Sequence, residues 1–292
     1  MGDFMNIGLS LSGGGVKGAA HIGVLKALEE EKIKISYISG TSSGSIVAAL
    51  YAIGYTPNEI FEIFKENGKK IKYYDLKNIL KLIWGILIKR KIIIEGLSEG
   101  NEIEKLIKEK CIEKNIINIK ETKIPLLIPA VNVVNGEVYF FCSKLTRNTL
   151  SDKIKYVNDI NIFSAVRASC SYPGVFSPYK INEDKFVDGG IRENIPWKGL
   201  KEIGADKVIS VIFEKQIKEK RNMNIIDVID SSLNIMGHEL ANYELIGVDE
   251  KIKIKTRNIM LLETEKMEEL YNEGYKQGKK QIKHIKLNLA CP

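Results

Sequence analysis

Residues 6–53 read NIGLSLSGGGVKGAAHIGVLKALEEEKIKISYISGTSSGSIVAALYAI, and this stretch decides the fold class. Asn6 to Ser12 has the length and apolar content of a short buried strand, Gly13 to Gly18 is a glycine loop, and Ala19 to Glu31 sets Ile22, Leu25 and Leu28 on one helical face. The pattern then repeats. Ile35 to Ser39 is a second strand, Gly40 to Gly44 a second tight turn, and Ser45 to Ile53 a helix apolar enough to require burial. Two successive strand-turn-helix units predict an α/β fold with a mainly parallel central sheet flanked by helices.

Further along, Thr56 and Pro57 open a helix over 56–66 as N-cap and first helical residue. Leu76 to Ile94 has Lys77, Lys81, Gly85 and Lys89 every fourth residue, leaving a wide apolar face with a narrow Lys stripe. Asn101 to Lys110 reads as an amphipathic helix, and Pro125 to Cys142 as two strands joined at Asn135-Gly136, a hairpin signal. Ile160 to Ala168 is a helix, Phe186 to Asp188 ends a short strand at a double glycine, and Lys207 to Phe213 is a buried strand. Ile225 to Leu245 is a helix, Lys251 to Lys255 a strand and Glu263 to Lys286 a charged closing helix. With no internal repeat or flexible linker, the expected plan is one α/β domain whose main part runs over residues 6–215. A helical insertion occupies about 56–120, and helices and a strand over 216–292 pack on the same domain.

The chain has 292 residues, 44% of them hydrophobic, which excludes disorder and a disulfide-stapled mini-domain. Its net charge is +7, but only six of 44 basic residues are Arg, and no zinc-finger, RNP-like or basic-helix pattern accompanies them. We therefore expect no nucleic-acid partner. The polar N-terminus, Met1 to Asn6, lacks the charged region, apolar run and cleavage site of a signal peptide, so a cytoplasmic location is expected. Cys111, Cys142, Cys170 and Cys291 form no CxxC and share no metal spacing with His21, His238 or His284, so free thiols are expected.

Gly13 to Gly18 fits GxGxxG, but the second strand ends without the acid that would hold a dinucleotide ribose, and Val16-Lys17-Gly18 is not a Walker ending. What the three successive glycines do permit is a sharp turn that presents bare N–H groups to an anion. Gly40-Thr41-Ser42-Ser43-Gly44 supplies a use for them. It is GxSxG between a strand and a buried helix, with Ser42 following Gly18 by 24 residues. A hydroxyl nucleophile needs a base. The three His residues sit in no motif, while Asp188-Gly189-Gly190 places an Asp at a strand end beside two residues without Cβ, either a base or an ordinary Asp-Gly turn.

GGGVKG, GTSSGS (40–45), ASCSYPGVFSP (168–178) and VDGGIREN (187–194), in this order, resemble the patatin-like phospholipase family over about residues 6–215. The resemblance implies a three-layer α/β/α fold and a Ser-Asp dyad, here Ser42 and Asp188. It implies an oxyanion hole from the backbone around Gly13, Gly14, Gly15 and Gly18, with Gly40 and Gly44 flanking the nucleophile elbow. Family members often carry Arg where this sequence has Lys17; Lys keeps the charge of a possible anion-orienting residue and loses the planar fork. Ser169 and Cys170 are read as shaping the wall near the dyad.

The implied activity is hydrolysis of fatty-acyl esters of phospholipids or lysophospholipids through an acyl-enzyme, requiring no metal or cofactor. The alternatives are a thioesterase or neutral-lipid esterase with the same dyad, or a non-catalytic membrane-binding module. Residues 76–94 are too Lys-punctuated to span a bilayer. They either cover an acyl cleft or lie at a peripheral contact with an anionic membrane, with Trp84 and the Ile residues inward, or else they form a core helix.

Overall fold

The computed structural model describes residues 5–145, 154–214, 223, 225–256 and 263–290; Met1 to Phe4 and Cys291 lie outside the described residues. Strand β1 (Ile7–Leu11) passes through the glycine loop into helix α1 (Gly18–Glu30), and β2 (Ile35–Gly40) through the second turn into α2 (Ser43–Ala52). Helix α3 (Pro57–Asn67) starts with a capping box: Thr56 Oγ1 accepts the Glu59 N–H, and the Glu59 carboxylate accepts the Thr56 N–H at 2.7 Å. There follow α4 (Leu76–Trp84), a π-helical turn (Gly85–Lys89), β3 (Gly96–Ser98) and α5 (Asn101–Glu113). The hairpin β4 (Leu126–Asn132) and β5 (Val138–Cys142) is succeeded by β6 (Ile154–Val157) and α6 (Ile162–Ser169). Three short strands, β7 (Gly174–Phe176), β8 (Tyr179–Ile181) and β9 (Asp184–Asp188), precede α7 (Trp197–Ile203) and β10 (Lys207–Glu214). The chain then forms α8 (Ile225–Glu244), β11 (Glu250–Lys255) and α9 (Met267–Ala290).

The described strands line up as β11-β10-β1-β2-β4-β5-β6, parallel from β11 to β4, with β5 and β9 antiparallel to β4. Alternation along β4 sends Ile128 and Ala130 into a core with α1, α2 and α6, and Leu127 and Val131 into a second core with Trp197, Leu200 and Ile203 of α7. Helices therefore cover both faces, which is why the parallel strands read as continuous apolar runs. Helix α9 is tied to the end of α1, where Tyr275 Oη donates to Glu30 and Lys279 and Lys286 donate to Glu31, each at 2.7 Å.

The topology also brings distant residues to one place. Strand β5 occupies one edge of β4 from Leu127 to Val131, so β2, paired at Leu126 and Leu127, and β9, paired at Ala130 to Asn132, must share the other. They run in opposite directions. The end of β2, which leads to Ser42, and the end of β9, which is Asp188, therefore meet on the same edge.

Residues 76–94 are not a core helix. The α-helix stops at Trp84, widens into the π turn, and ends at Arg90 in the left-handed conformation (φ 52°), with Trp84 and Ile83, Ile86 and Ile88 exposed rather than turned inward. The period of the pattern supplied a helix with a wide apolar face. Which way that face points is set by Asn78, whose buried amide bonds to the chain after the π turn.

Candidate active site

Ser42 sits between β2 and α2 with φ 53° and ψ −124°, a conformation rarely tolerated by a residue with a side chain. The bonds around it hold it there. Ser42 N–H donates to Ser169 Oγ at 3.1 Å, Ser42 O accepts Ser45 Oγ at 2.6 Å, and the Thr41 carbonyl accepts Gly44 N–H at 2.8 Å. The two flanking glycines pack backbone on backbone: a Cβ on Gly40 would lie 2.2 Å from Gly44 O, and one on Gly44 2.5 Å from Leu11 O. This is the steric reason for small residues on either side of an elbow.

Asp188 is 3% exposed. Its N–H donates to Ser171 O at 3.0 Å, and its Oδ1 accepts Gly190 N–H at 2.8 Å, while Oδ2 accepts no hydrogen bond. The Asp-Gly turn and the free carboxylate oxygen are thus both present, one on each oxygen. Burial pushes the carboxyl up to about 6, opposed by the nearby Ser42 hydroxyl and by Gly190 N–H. The serine contact favours the charged form without closing into a hydrogen bond to Oδ2. None of the three histidines bonds to either residue among the described residues. His21 is buried beneath the glycine loop, with Nε2 2.8 Å from Ser12 O, and burial lowers it to about 4, which keeps the ring neutral.

The four glycines of the loop do different things. Gly13 N–H donates to Asn194 Oδ1 at 3.0 Å, and Gly18 N–H turns back onto Gly15 O and Val16 O. Gly14 and Gly15 N–H groups have no acceptor among the described residues, and Gly15 holds φ 58°. Lys17 Nζ lies 6.0 Å from the centroid of the Phe213 ring, which itself stands 4.6 Å from His21. Ser169 is the acceptor that holds the elbow, and the neighbouring Cys170 thiol, fully buried, is pushed up to about 12 and stays protonated.

The description "Patatin-like phospholipase" belongs to the family whose model matches residues 9–201, from β1 to α7, and thus spans the glycine loop, Ser42, Ser169 and Asp188. The chain belongs to the patatin-like phospholipase family. Its relatives include lipid hydrolases. The uncharacterized protein YqhO of Bacillus subtilis (strain 168) is 34% identical over 223 residues, 73% of each chain. A probable lipid hydrolase, 463L of Invertebrate iridescent virus 6, is 30% identical over 193 residues, 64% of this chain and 61% of the viral protein. The lysophospholipase NTE1 of Saccharomyces cerevisiae is 26% identical over 206 residues, 70% of this chain, which spans about a tenth (10%) of the yeast protein. In fold, this patatin-like chain is similar to the crystal structure of VipD from Legionella pneumophila, with a TM-score of 0.51 and 16% identity over 96% of this chain and 66% of VipD.

One part of this patatin-like site is held from far away in the sequence. Asn194, which caps Gly13, is itself held by α8: Glu244 Oε1 accepts Asn194 N–H at 2.7 Å and Oε2 accepts Ile195 N–H at 3.0 Å. Glu193, whose carbonyl accepts Thr41 Oγ1 at 2.9 Å, is close enough to raise Glu244 further. Burial pushes both carboxyls up, Glu193 to about 7 and Glu244 to about 8, and the Glu193 charge adds to the rise at Glu244. The link from Gly13 to α8 crosses 181 and then 50 residues of sequence, so no local pattern announces it. Asn194→Ala should leave a part-buried N–H unpaired at the start of the glycine loop, costing about 1–3 kcal/mol. The expected result is a lower kcat with little change in KM, measured on a soluble ester; an unchanged kcat would show that the cap does not position the loop.

Proposed function

We propose that the chain is a lipid acyl hydrolase in which Ser42 is the nucleophile and Asp188 the base. The observation that carries this reading is the strained Ser42 beside a buried carboxylate with one unbonded oxygen. Ser42 Oγ attacks the ester carbonyl as its proton moves to Asp188 Oδ2. The tetrahedral oxyanion is held by Gly14 and Gly15 N–H, the two loop donors that remain uncommitted. Collapse expels the alcohol, which takes the proton from Asp188, and a water deprotonated by the same carboxylate then releases the fatty acid.

A carboxyl at about 6 is a better base than an ordinary aspartate, and the N-terminus of α2 favours the alkoxide as it forms. The substrates are fatty-acyl esters of phospholipids or lysophospholipids met at an anionic membrane surface; the lysophospholipase and lipid hydrolase among the relatives support that class. Because the base must be charged, kcat/KM should rise with pH through about 6 and fall about tenfold per unit below it. A profile without an acid limb near that value would remove Asp188 from the role. The direct test of the function is product analysis on phospholipid and lysophospholipid panels, wild type against Ser42→Ala; equal products from both would overturn it.

A further inference from the structure

Residues 76–94, LKNILKLIWGILIKRKIII, contain five basic side chains and no acidic one. In the structure this segment is inverted relative to an ordinary surface helix. The side chain it buries is polar: Asn78, 4% exposed, donates to Gly96 O and Glu99 Oε1, both at 3.3 Å. The side chains it exposes are apolar, with Leu76 and Leu87 71% exposed, Ile92 70% and Trp84 48%. A helix that faced only water would order these the other way, and a contiguous apolar patch of this kind marks a contact with another apolar phase.

The charge pattern says which phase. Lys77, Lys81, Lys89, Arg90 and Lys91 are all exposed and have no ion-pair partner among the described residues; Lys89 Nζ lies 5.2 Å from the centroid of the Trp84 ring. A second copy seated on this face would set five cations against five. An anionic lipid surface would neutralise them while receiving the Leu, Ile and Trp side chains below the headgroups. No helix among the described residues is long and apolar enough to cross a membrane, so the segment would lie along the surface.

The face is also coupled to the candidate dyad. Glu99 N–H donates to Asp75 Oδ2 at 3.0 Å, at the start of α4, and Glu99 O accepts Arg167 Nε at 3.1 Å. Arg167 Nη1 donates to Ser171 Oγ at 2.7 Å, and Ser171 O accepts the Asp188 N–H at 3.0 Å. A short run of hydrogen bonds thus separates the exposed helix from the carboxylate.

We propose that residues 76–93 are a docking surface for anionic lipid, laying the protein on the bilayer with Leu, Ile and Trp84 in the acyl boundary and the five cations among the headgroups. The biological use of this docking rests on the acyl-hydrolase reading; the surface itself does not. The test uses full-length protein carrying Ser42→Ala, so that vesicles stay intact, with phosphatidylcholine vesicles with and without phosphatidylglycerol. Co-sedimentation should require phosphatidylglycerol and weaken as salt rises, with Trp84 emission shifting to the blue. The triple variant Lys77→Gln, Lys81→Gln and Lys89→Gln should bind about 100-fold more weakly. Leu80→Ser with Leu87→Ser should lose binding at every anionic content. With Ser42 restored, both variants should hydrolyse a soluble ester at the wild-type rate, which also shows that they fold.

Equal binding to both vesicle types, unaltered binding by the variants, or a concentration-dependent dimer dissolved by the same substitutions would each overturn the proposal. Vesicle binding by a Ser42-containing chain that hydrolyses no ester would sink the hydrolase reading and leave the docking surface standing.

Discussion

Asp188→Asn should reduce ester hydrolysis by about 10³-fold or more and at the same time raise the melting temperature at neutral pH. The loss of rate follows from removing the carboxylate beside Ser42: an amide takes up no proton from Oγ and deprotonates no water. The gain in stability follows from linkage. Burial raises this carboxyl from 3.8 in the unfolded chain to about 6 in the fold. A carboxyl with a raised folded value contributes stability below its unfolded value and loses it as pH rises through the folded one, so above about 6 the ionised Asp188 is a burden on the fold. The shift corresponds to about 2–3 kcal/mol at neutral pH, a few degrees in Tm for a chain of this size. Asn has the shape of the neutral acid and keeps an oxygen for Gly190 N–H, so that cost disappears. At pH 4, where the wild-type carboxyl is protonated in the fold, the two melting temperatures should converge. A variant that loses activity and also melts lower at pH 7 would place Asp188 in the structural role of its turn and not in the chemistry.

The second large effect belongs to the glycine loop. Gly14→Val should lower kcat by about 10²–10³-fold with a small change in KM, the size expected for the loss of one oxyanion donor. The backbone of Gly14 is extended (φ 174°), so its conformation suits any residue; the obstacle is space. A Cβ there would lie 2.5 Å from Phe213 Cε2 and 2.7 Å from Cδ2. Phe213 packs, tilted, against the buried His21 ring and belongs to strand β10, so the loop would move instead of the ring. A displaced loop carries the Gly14 and Gly15 N–H groups away from the carbonyl, and a misplacement of about 1 Å costs that much. Labelling of Ser42 by a fluorophosphonate, which forms a tetrahedral adduct, should slow in parallel. Normal labelling with normal turnover would show that the oxyanion is held elsewhere, and Phe213→Leu in the same chain should recover part of the rate if the clash is the cause.

The elbow was legible because its constraints are local. Gly40 packs on the Gly44 backbone across one tight turn and Gly44 on the end of β1, and the residue between them must accept a strained conformation, so five consecutive positions carry most of the requirement. The apolar runs of β1, β2, β4 and β10 were legible for a similar reason, since two-sided burial leaves a continuous apolar stretch. Strands β3, β6, β7 and β8, with three or four residues each, have too few positions for a period to emerge, and α7 is hidden behind Pro196. Asp188 stood between a turn and a base; in the fold its Oδ1 makes the turn with Gly190 and its Oδ2 is left without a hydrogen bond. The capping role of Asn194, although it ends the VDGGIREN stretch, and the part played by Glu244 could not be read in advance, because a carboxamide capping a glycine across the molecule leaves no mark on its neighbours in the chain.

By itself, the sequence determined the parallel α/β plan and the tight serine turn, because each is written in steric or periodic rules acting over a few residues, while Asp188 was singled out by the resemblance and not by such rules. It also determined that residues 76–94 have a broad apolar face edged with positive charge. Only the tertiary structure decided which loop donors stay open, since Asn194 and the turn at Gly18 engage two of them, and only it decided that the apolar face of α4 looks outward. The physical reason is the same in both cases. Periodicity records that a face exists, whereas its direction depends on which of its few polar groups finds a buried partner, and for α4 that group is Asn78.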